Sequence, residues 1–346
     1  GRPGMKFFCI PRKMAWRGRA VTRLASLGQR RALATSPRPP LQLYRSLWGV
    51  DGVEDKEARK EVFQRLKADG YSGVESGPFT IGTGGVPKWE PDPRDDAGRN
   101  AFSEALREIG LSFIAMVHSA GYPVDGHKGI DQHLESLELQ VECAKGMGAE
   151  LINVHGGRDA WDIKHAVKFL AGVAELEAKT GLPFVLETHR QRLFWNPWQT
   201  RDLIIACQKA NVPLKLNADL SHWCAGGERI FSDDFDPEFK DIIHMVAERA
   251  LLVHARVGWS QGPQVPDPRV PEYSHELAAH EGWWDVILDG MVKRGVPPRL
   301  EPEFGPAPYM PIDPASQKPA ADLWDINSFI AKRQQQRWEV KEDFRL

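Results

Sequence analysis

From residue 41 onward, short apolar runs alternate with longer amphipathic segments. The apolar runs have the length of buried β-strands, and each segment between them is long enough for a helix and two loops. Successive strand ends are separated by 27 to 49 residues. The pattern therefore predicts a repeated strand–helix unit. Eight candidate strands end near Trp48, Glu75, His118, His155, Glu187, Asp219, His254 and Glu303.

The segments between the strands carry helical signals. Leu134, Leu137 and Val141 recur at three- and four-residue steps, which places them on one face of a helix. Asn196-Pro197 and Asp236-Pro237 each offer an N-cap residue followed by proline at the first helical position. Helices are predicted over residues 55–69, 97–109, 129–147, 161–179, 197–210, 237–248, 280–294 and 320–337.

Eight strand–helix units in about 300 residues fit a single (β/α)8 TIM barrel of the α/β class better than an open sheet. No GxGxxG or GxxxxGK[ST] motif follows the first strand, which argues against a nucleotide-binding fold. The sequence shows no internal repeat and no second domain. We therefore predict one barrel domain over residues 41–340.

Composition supports a globular domain with a sizeable core. Hydrophobic residues make up 42% of the chain, and no apolar run approaches the roughly 18 residues of a membrane span, so no membrane partner is expected. The four cysteines have no CxxC spacing, which indicates neither a disulfide framework nor a zinc ribbon.

Charge is distributed unevenly along the chain. Residues 1–50 contain 11 Lys and Arg and no acid, so the remaining residues carry 34 basic and 47 acidic side chains, a net charge of −13. An Arg-rich segment without acids is typical of an organelle transit peptide. We predict a transit peptide and linker over residues 1–40 and a mitochondrial matrix location, with a plastid as the alternative; a disordered basic tail is the other interpretation. The acidic body argues against a nucleic-acid partner.

Seven of the eight predicted strands end on a residue that could serve in a polar site. In a TIM barrel the carboxyl ends of the strands converge on the active-site mouth. Carboxylates and imidazoles crowded there need a compensating cation, and a divalent metal ion held by oxygen and nitrogen ligands meets that need. Each residue taken alone could instead be a hydrogen-bonded structural residue or a helix cap. The combination predicts a shared metal site.

Four short motifs at successive strand ends carry a family resemblance. Residues 187–189 (Glu-Thr-His), 219–222 (Asp-Leu-Ser-His), 253–254 (Val-His) and 301–305 (Glu-Pro-Glu-Phe-Gly) resemble the xylose isomerase-like barrels, and the resemblance covers roughly residues 42–338. It is closest to the sugar phosphate isomerases and epimerases. The resemblance implies that the metal ligands are Glu187, Asp219, His254 and Glu303, with His222 facing the substrate or a second metal ion.

The resemblance also implies a reaction. A metal ion bound to the carbonyl and hydroxyl oxygens of an α-hydroxy carbonyl compound stabilises an ene-diolate, and a carboxylate beside that carbon acts as base. Glu187 and Glu303 match the two bases of the epimerase branch. Xylose isomerase has a lysine where this chain has His189, so proton transfer is favoured over a hydride shift. Mn²⁺ is the expected ion, with Mg²⁺, Co²⁺ or Zn²⁺ as alternatives.

The expected partner is a small sugar or sugar-derived substrate, and a homo-oligomer is left open. Besides His222, the residues expected to contact substrate are His118, His155, His189, Arg256, Arg269 and Trp259. Three alternatives remain: a lyase or dehydratase on keto-sugars or inososes, an endonuclease IV-like phosphoesterase, and a non-catalytic sugar-binding barrel. Endonuclease IV has an Asp-x-His pair after strand seven, and here that motif reads Asp267-Pro268-Arg269, which removes one metal ligand.

Overall fold

The computed structural model describes residues 38–79 and 89–340, so residues 1–37 of the predicted transit peptide and linker lie outside the described residues. Eight parallel strands close into a barrel in chain order, with β1 beside β8. This confirms the predicted (β/α)8 fold. The strands are β1 (Gln42–Ser46), β2 (Gly73–Ser76), β3 (Ser112–His118), β4 (Leu151–His155), β5 (Phe184–Glu187), β6 (Leu216–Ala218), β7 (Ala250–His254) and β8 (Arg299–Glu301).

Helices follow the strands around the outside of the barrel. They are α1 (Lys56–Ala68), α2 (Asp96–Ile109), α3 (Ile130–Gly146), α4 (Ile163–Thr180), α5 (Pro197–Lys209), α6 (Ser221–Gly227), α7 (Phe239–Ala247), α8 (Ser274–Lys293) and α9 (Leu323–Val340), with a 3₁₀ turn at Pro271–Tyr273 before α8. All eight predicted helices are present. The short α6, which contains His222, was not predicted, because seven residues are too few for a periodic pattern.

The two proposed helix starts have different outcomes. Asn196 caps α5 as predicted: its side-chain oxygen accepts from the backbone N–H of Gln199 at 2.7 Å, and Pro197 occupies the first turn. The prediction for Asp236 is wrong, since α7 begins at Phe239. The Asp236 carboxylate instead accepts a hydrogen bond from Arg229 at 2.9 Å. The Asp236 side chain therefore forms a salt bridge with Arg229 and does not cap the helix.

Side chains point alternately into the barrel and out toward the helices, as the pleat of a strand requires. Residues two apart on one strand therefore stack inside the barrel. A small apolar cluster of Tyr44, Ile114, Leu151, Val185 and Leu252 fills one layer of the interior. The next inward positions on β4, β5 and β7 are Asn153, Glu187 and His254, all fully or almost fully buried. The interior thus changes from apolar to polar toward the carboxyl ends of the strands.

The first described residues are attached to the barrel. The Arg38 guanidinium pairs with Asp289 on α8 and lies over the ring of Trp338 on α9, 3.4 Å from the ring centroid. The indole N–H of Trp338 donates to the carbonyl of Pro39 at 2.9 Å. The segment predicted as a linker therefore includes residues that contact the barrel. Within the described ranges, no helix is both long and apolar enough to cross a membrane.

Candidate metal and active site

Four residues from neighbouring strands meet at the carboxyl end of the barrel. Glu187 ends β5, Asp219 directly follows β6, His254 ends β7, and Glu303 lies two residues beyond β8. Each offers a ligand atom, and these four atoms lie within 4.8 Å of one another. All four side chains are buried. We refer to these residues as the four-residue cluster; they are the set that the family resemblance named.

The His254 imidazole lies at the centre of this cluster. Its Nδ1 atom is 2.7 Å from Oε2 of Glu303 and 3.5 Å from Oε2 of Glu187. Its other nitrogen, Nε2, is 3.3 Å from Oε1 of Glu75 on β2. The ring therefore spans two layers of the barrel interior. Glu75, His254 and Glu301 form a second group with the spacing of metal ligands.

Sequence reasoning missed Glu301 as a site residue. It is the last residue of β8 and lies two positions before Glu303, so the alternation of side chains directs both toward the barrel interior. Its carboxylate is fully buried, and in the part of the chain that the structure describes neither oxygen has a hydrogen-bond partner. Asn153 was also missed: its amide donates to Glu187 at 2.7 Å. Counting back two residues from Glu303 and from His155 would have identified both.

Arg256 is the next inward residue after His254. Its Nη2 atom donates to Oδ2 of Asp219 at 2.5 Å and to Oε2 of Glu303 at 2.8 Å. Arg256 was expected to contact substrate from the loop after β7. In the structure the guanidinium contacts Asp219 and Glu303, two members of the four-residue cluster. Its Nη2 atom also lies 3.4 Å from Nε2 of His222.

Four histidines continue the site toward the barrel mouth. The ring centroids of His118 and His155 are 4.4 Å apart, those of His155 and His189 are 4.6 Å apart, and those of His189 and His222 are 3.8 Å apart. Burial lowers the pKa of all four well below the usual histidine range, so they are neutral at pH 7. The structure thus brings all four predicted substrate contacts together beside the cluster.

The two catalytic candidates differ in acidity. Burial raises the pKa of Glu187 to about 7. Burial would also raise the pKa of Glu303, but the positive charges of Arg256 and His254 outweigh it and hold that pKa at about 2. A pair of carboxylates whose environments separate their pKa values is a recurrent feature of acid–base sites. At neutral pH Glu303 is ionised, and Glu187 can either accept or release a proton.

The pKa values of Asp219 and His254, the remaining two members of the cluster, also depart from their ordinary values. Burial raises the pKa of Asp219 to about 6. Burial would lower the pKa of His254, but Glu303, Glu75 and Glu187 raise it well above its usual range. A cation is therefore favoured at this position, whether it is the proton on the imidazole or a metal ion that replaces it.

The residues present fit a divalent metal ion. Three carboxylates and one imidazole form a hard ligand set of the kind that suits Mg²⁺ or Mn²⁺. Oε1 of Glu187 is buried and makes no hydrogen bond with any described residue, although a buried carboxylate oxygen normally has a partner. His155, Glu187 and His189 form a third group with suitable spacing. The side chains thus offer more than one position for an ion.

Two of the predicted substrate contacts have partners outside the cluster. The Arg269 guanidinium pairs with the carboxylate of Asp267, with Nη2 and Oδ2 2.7 Å apart. The indole ring of Trp259 packs edge-on against Tyr273, with 5.7 Å between ring centroids. Contact of either residue with a substrate remains a prediction.

A closed eight-stranded α/β barrel with carboxylates and histidines at its carboxyl end defines a TIM-barrel protein with a candidate metal site. The chain belongs to the xylose isomerase-like TIM barrel family, whose family model matches residues 63–268. This confirms the family resemblance found in the sequence motifs. Comparison with curated proteins gave no match.

Solved structures share the fold at low identity. A xylose isomerase-like TIM barrel protein from Mycobacterium smegmatis in complex with magnesium is 12% identical with a TM-score of 0.57, covering 87% of this chain and 97% of that chain. The D-allulose 3-epimerase from Methylomonas sp. in complex with D-allulose is 10% identical with a TM-score of 0.52, covering 87% and 98%. The IolI protein with a bound zinc atom is 12% identical with a TM-score of 0.53, covering 88% and 100%.

Proposed function

We propose that this protein is a divalent-metal-dependent isomerase or epimerase of a sugar or sugar derivative that acts by proton transfer. The observation that carries the proposal is the convergence of Glu187, Asp219, His254 and Glu303 within 4.8 Å in a buried site. The ions named for two structural neighbours, magnesium and zinc, and the D-allulose bound to a third support the choice of ligand and substrate class. Mn²⁺ is our choice of ion for the first test.

A bound divalent ion would stabilise negative charge on the carbonyl and hydroxyl oxygens of the substrate. Glu303 is ionised at neutral pH and serves as the base on one face of the reacting carbon. Glu187, with a pKa of about 7, can return a proton on the other face. The neutral histidines beside the cluster can accept hydrogen bonds from substrate hydroxyls without adding charge.

The test is a screen for proton exchange. Ketoses, keto-acids and inososes are incubated with Mn²⁺-loaded protein in heavy water, and carbon-bound deuterium is followed by NMR. We expect deuterium next to a carbonyl carbon together with conversion of at least one substrate. Conversion without deuterium incorporation would favour a hydride shift, and loss of water would favour a dehydratase. Cleavage of an abasic DNA strand with no reaction of any sugar would refute the isomerase proposal.

A further inference from the structure

Two of the three guanidinium nitrogens of Arg256 donate no hydrogen bond to the described residues. Its contacts with Asp219 and Glu303 both involve Nη2. Its Nε and Nη1 atoms are buried and have no hydrogen-bond partner among residues 38–79 and 89–340. Leaving buried guanidinium N–H groups unpaired is costly, and native structures rarely do so. These donors therefore point to a group that binds there.

A second guanidinium lies near the same tyrosine ring as Arg256. The guanidinium carbon of Arg190 is 5.0 Å from the ring centroid of Tyr309, and that of Arg256 is 4.9 Å from the same centroid. Both positive charges also act on His222, where they add to the effect of burial in lowering the pKa. Two cations therefore lie close to one tyrosine ring, whose centroid is 6.3 Å from that of His222.

Arg190 is not neutralised by a neighbouring carboxylate. It takes part in no salt bridge within residues 38–79 and 89–340, and its buried Nε atom has no hydrogen-bond partner. Arg192, two residues away, likewise has no salt bridge within these ranges and a buried Nε without a partner, but its Nη atoms are occupied. Its guanidinium donates to the carbonyls of Ser119 and Gly121 at 2.9 and 2.6 Å and so holds the loops after β3 and β5. Arg192 is structural, whereas the charge of Arg190 remains available at the mouth.

The chemistry of these donors selects their ligand. A sugar hydroxyl can accept a hydrogen bond from a guanidinium, but it offers no negative charge to pair with it. When a carboxylate or phosphate is ionised, it acts only as a hydrogen-bond acceptor. Guanidinium groups bind both anions in short charge-assisted pairs. The unpaired donors of Arg256 and Arg190 therefore match an oxyanion.

We propose that Arg256 and Arg190 form an oxyanion subsite beside Tyr309 and that the substrate carries a carboxylate or phosphate group. The proposal rests on the proposed function for the position of the reacting carbon, since Arg256 also contacts Glu303. The anionic group then lies close to the carbon that exchanges its proton. Arg256 links the two parts of the site: one nitrogen contacts the cluster, and the others contact the anion.

The experiment compares matched probes. Binding of D-fructose, D-fructose 6-phosphate and 5-keto-D-gluconate to Mn²⁺-loaded full-length protein is measured by calorimetry at low ionic strength, together with inorganic phosphate. The wild type is expected to bind at least one anionic sugar about 10- to 100-fold more tightly than D-fructose, as one or two charge-assisted hydrogen bonds imply. The tighter of the two anionic sugars identifies phosphate or carboxylate as the natural group.

Two variants assign the preference to the arginines. Arg190→Gln removes a partly buried charge at the mouth and should abolish most of the preference, while Arg256→Lys keeps the charge but loses the planar donor fork. Arg201→Gln on α5, which pairs with Asp202 at 2.9 Å, is the control for loss of one surface charge. Equal binding of all three sugars by the wild type, or an unchanged preference in Arg190→Gln, would overturn the proposal.

The result is separable from that of the proposed function. Anion preference without deuterium exchange into any sugar supports the subsite and counts against the isomerase. Deuterium exchange into neutral sugars without anion preference supports the isomerase and overturns the subsite.

Discussion

Nε2 of His254 lies 3.3 Å from Oε1 of Glu75, while Nδ1 of the same ring faces Glu303 at 2.7 Å. If Nε2 carries the ring proton and donates a hydrogen bond to Glu75, the lone pair of Nδ1 is directed at the four-residue cluster. Carboxylate–histidine pairs of this kind orient metal-ligating histidines and make them more basic. Glu75 is thus placed as a positioning residue for His254.

The first prediction concerns Glu75. Glu75→Gln removes the negative charge behind His254 and should weaken Mn²⁺ binding about 10- to 100-fold, the usual effect of losing such a partner. Calorimetric titration with Mn²⁺ measures this directly. Glu150→Gln is the matched control, because Glu150 accepts a hydrogen bond from Tyr44 instead of facing the site. Equal Mn²⁺ affinity in the two variants would count against the orienting role.

The second prediction concerns Asp219. Asp219→Asn removes one of three anionic ligands and leaves the Arg256 guanidinium with Glu303 as its one charged partner among the described residues. We expect a sharp loss of bound metal, measured by elemental analysis, with an unchanged circular dichroism spectrum. Asp267→Asn, which affects the salt bridge to Arg269, should retain metal. Full metal occupancy in Asp219→Asn would remove Asp219 from the ligand set.

The third prediction concerns the two proposed bases. Glu187→Gln and Glu303→Gln each keep an oxygen ligand but lose the proton acceptor, so turnover should fall about 10²- to 10⁴-fold. Each variant should retain part of its metal. If the two residues serve opposite faces, each variant still exchanges deuterium from one face in heavy water. Wild-type turnover in either variant would contradict the assignment.

The fourth prediction concerns acid stability and involves a histidine outside the cluster. Nε2 of His280 accepts from the N–H of Gly258 at 3.1 Å, and burial lowers the pKa of His280 to about 4. In the unfolded chain His280 binds a proton below about pH 6.5, whereas in the folded protein it does so only near pH 4. The free energy of unfolding therefore decreases as pH falls through that window.

The measurement compares denaturant unfolding at pH 7 and pH 5. Between these values the wild type should lose about 2 kcal/mol more than His280→Gln, which has no proton to gain. The variant is expected to be less stable at pH 7, because it loses the hydrogen bonds of the imidazole. The pH dependence is therefore the informative quantity, and parallel pH dependence in the two proteins would contradict the assignment.

The fifth prediction separates the N-terminal segment from the barrel. Deleting residues 1–37 should leave the melting temperature nearly unchanged, whereas deleting residues 1–40 should lower it, because Arg38 and Pro39 contact Asp289 and Trp338. A fluorescent fusion lacking residues 1–37 should remain in the cytosol if the segment is an organelle address. Organelle import that survives the deletion would refute the address.

Much of the site could be predicted because the side chains of a strand alternate between its two faces. Once Glu187, His254 and Glu303 are assigned to strand ends, their convergence follows from barrel closure. The inward direction of His189 and Arg256, which lie two positions after Glu187 and His254, follows from the same alternation. The loops obey no such rule. Trp259 and Arg269 lie on a long loop after β7, and their contacts with Tyr273 and Asp267 depend on the path of that loop.

The sequence by itself determined the order and type of the elements and the barrel, because these depend on local periodicity and on the closure of eight parallel strands. The members of the four-residue cluster followed from the resemblance of the sequence motifs to the xylose isomerase-like barrels. Only the tertiary structure decided which nitrogen of Arg256 contacts Asp219 and Glu303, and which side of His254 faces Glu75. It also decided that Arg190 lies beside Tyr309 and forms no salt bridge with an acidic residue of the described ranges. These are distances of a few ångströms between residues far apart in the chain, and they are set by packing.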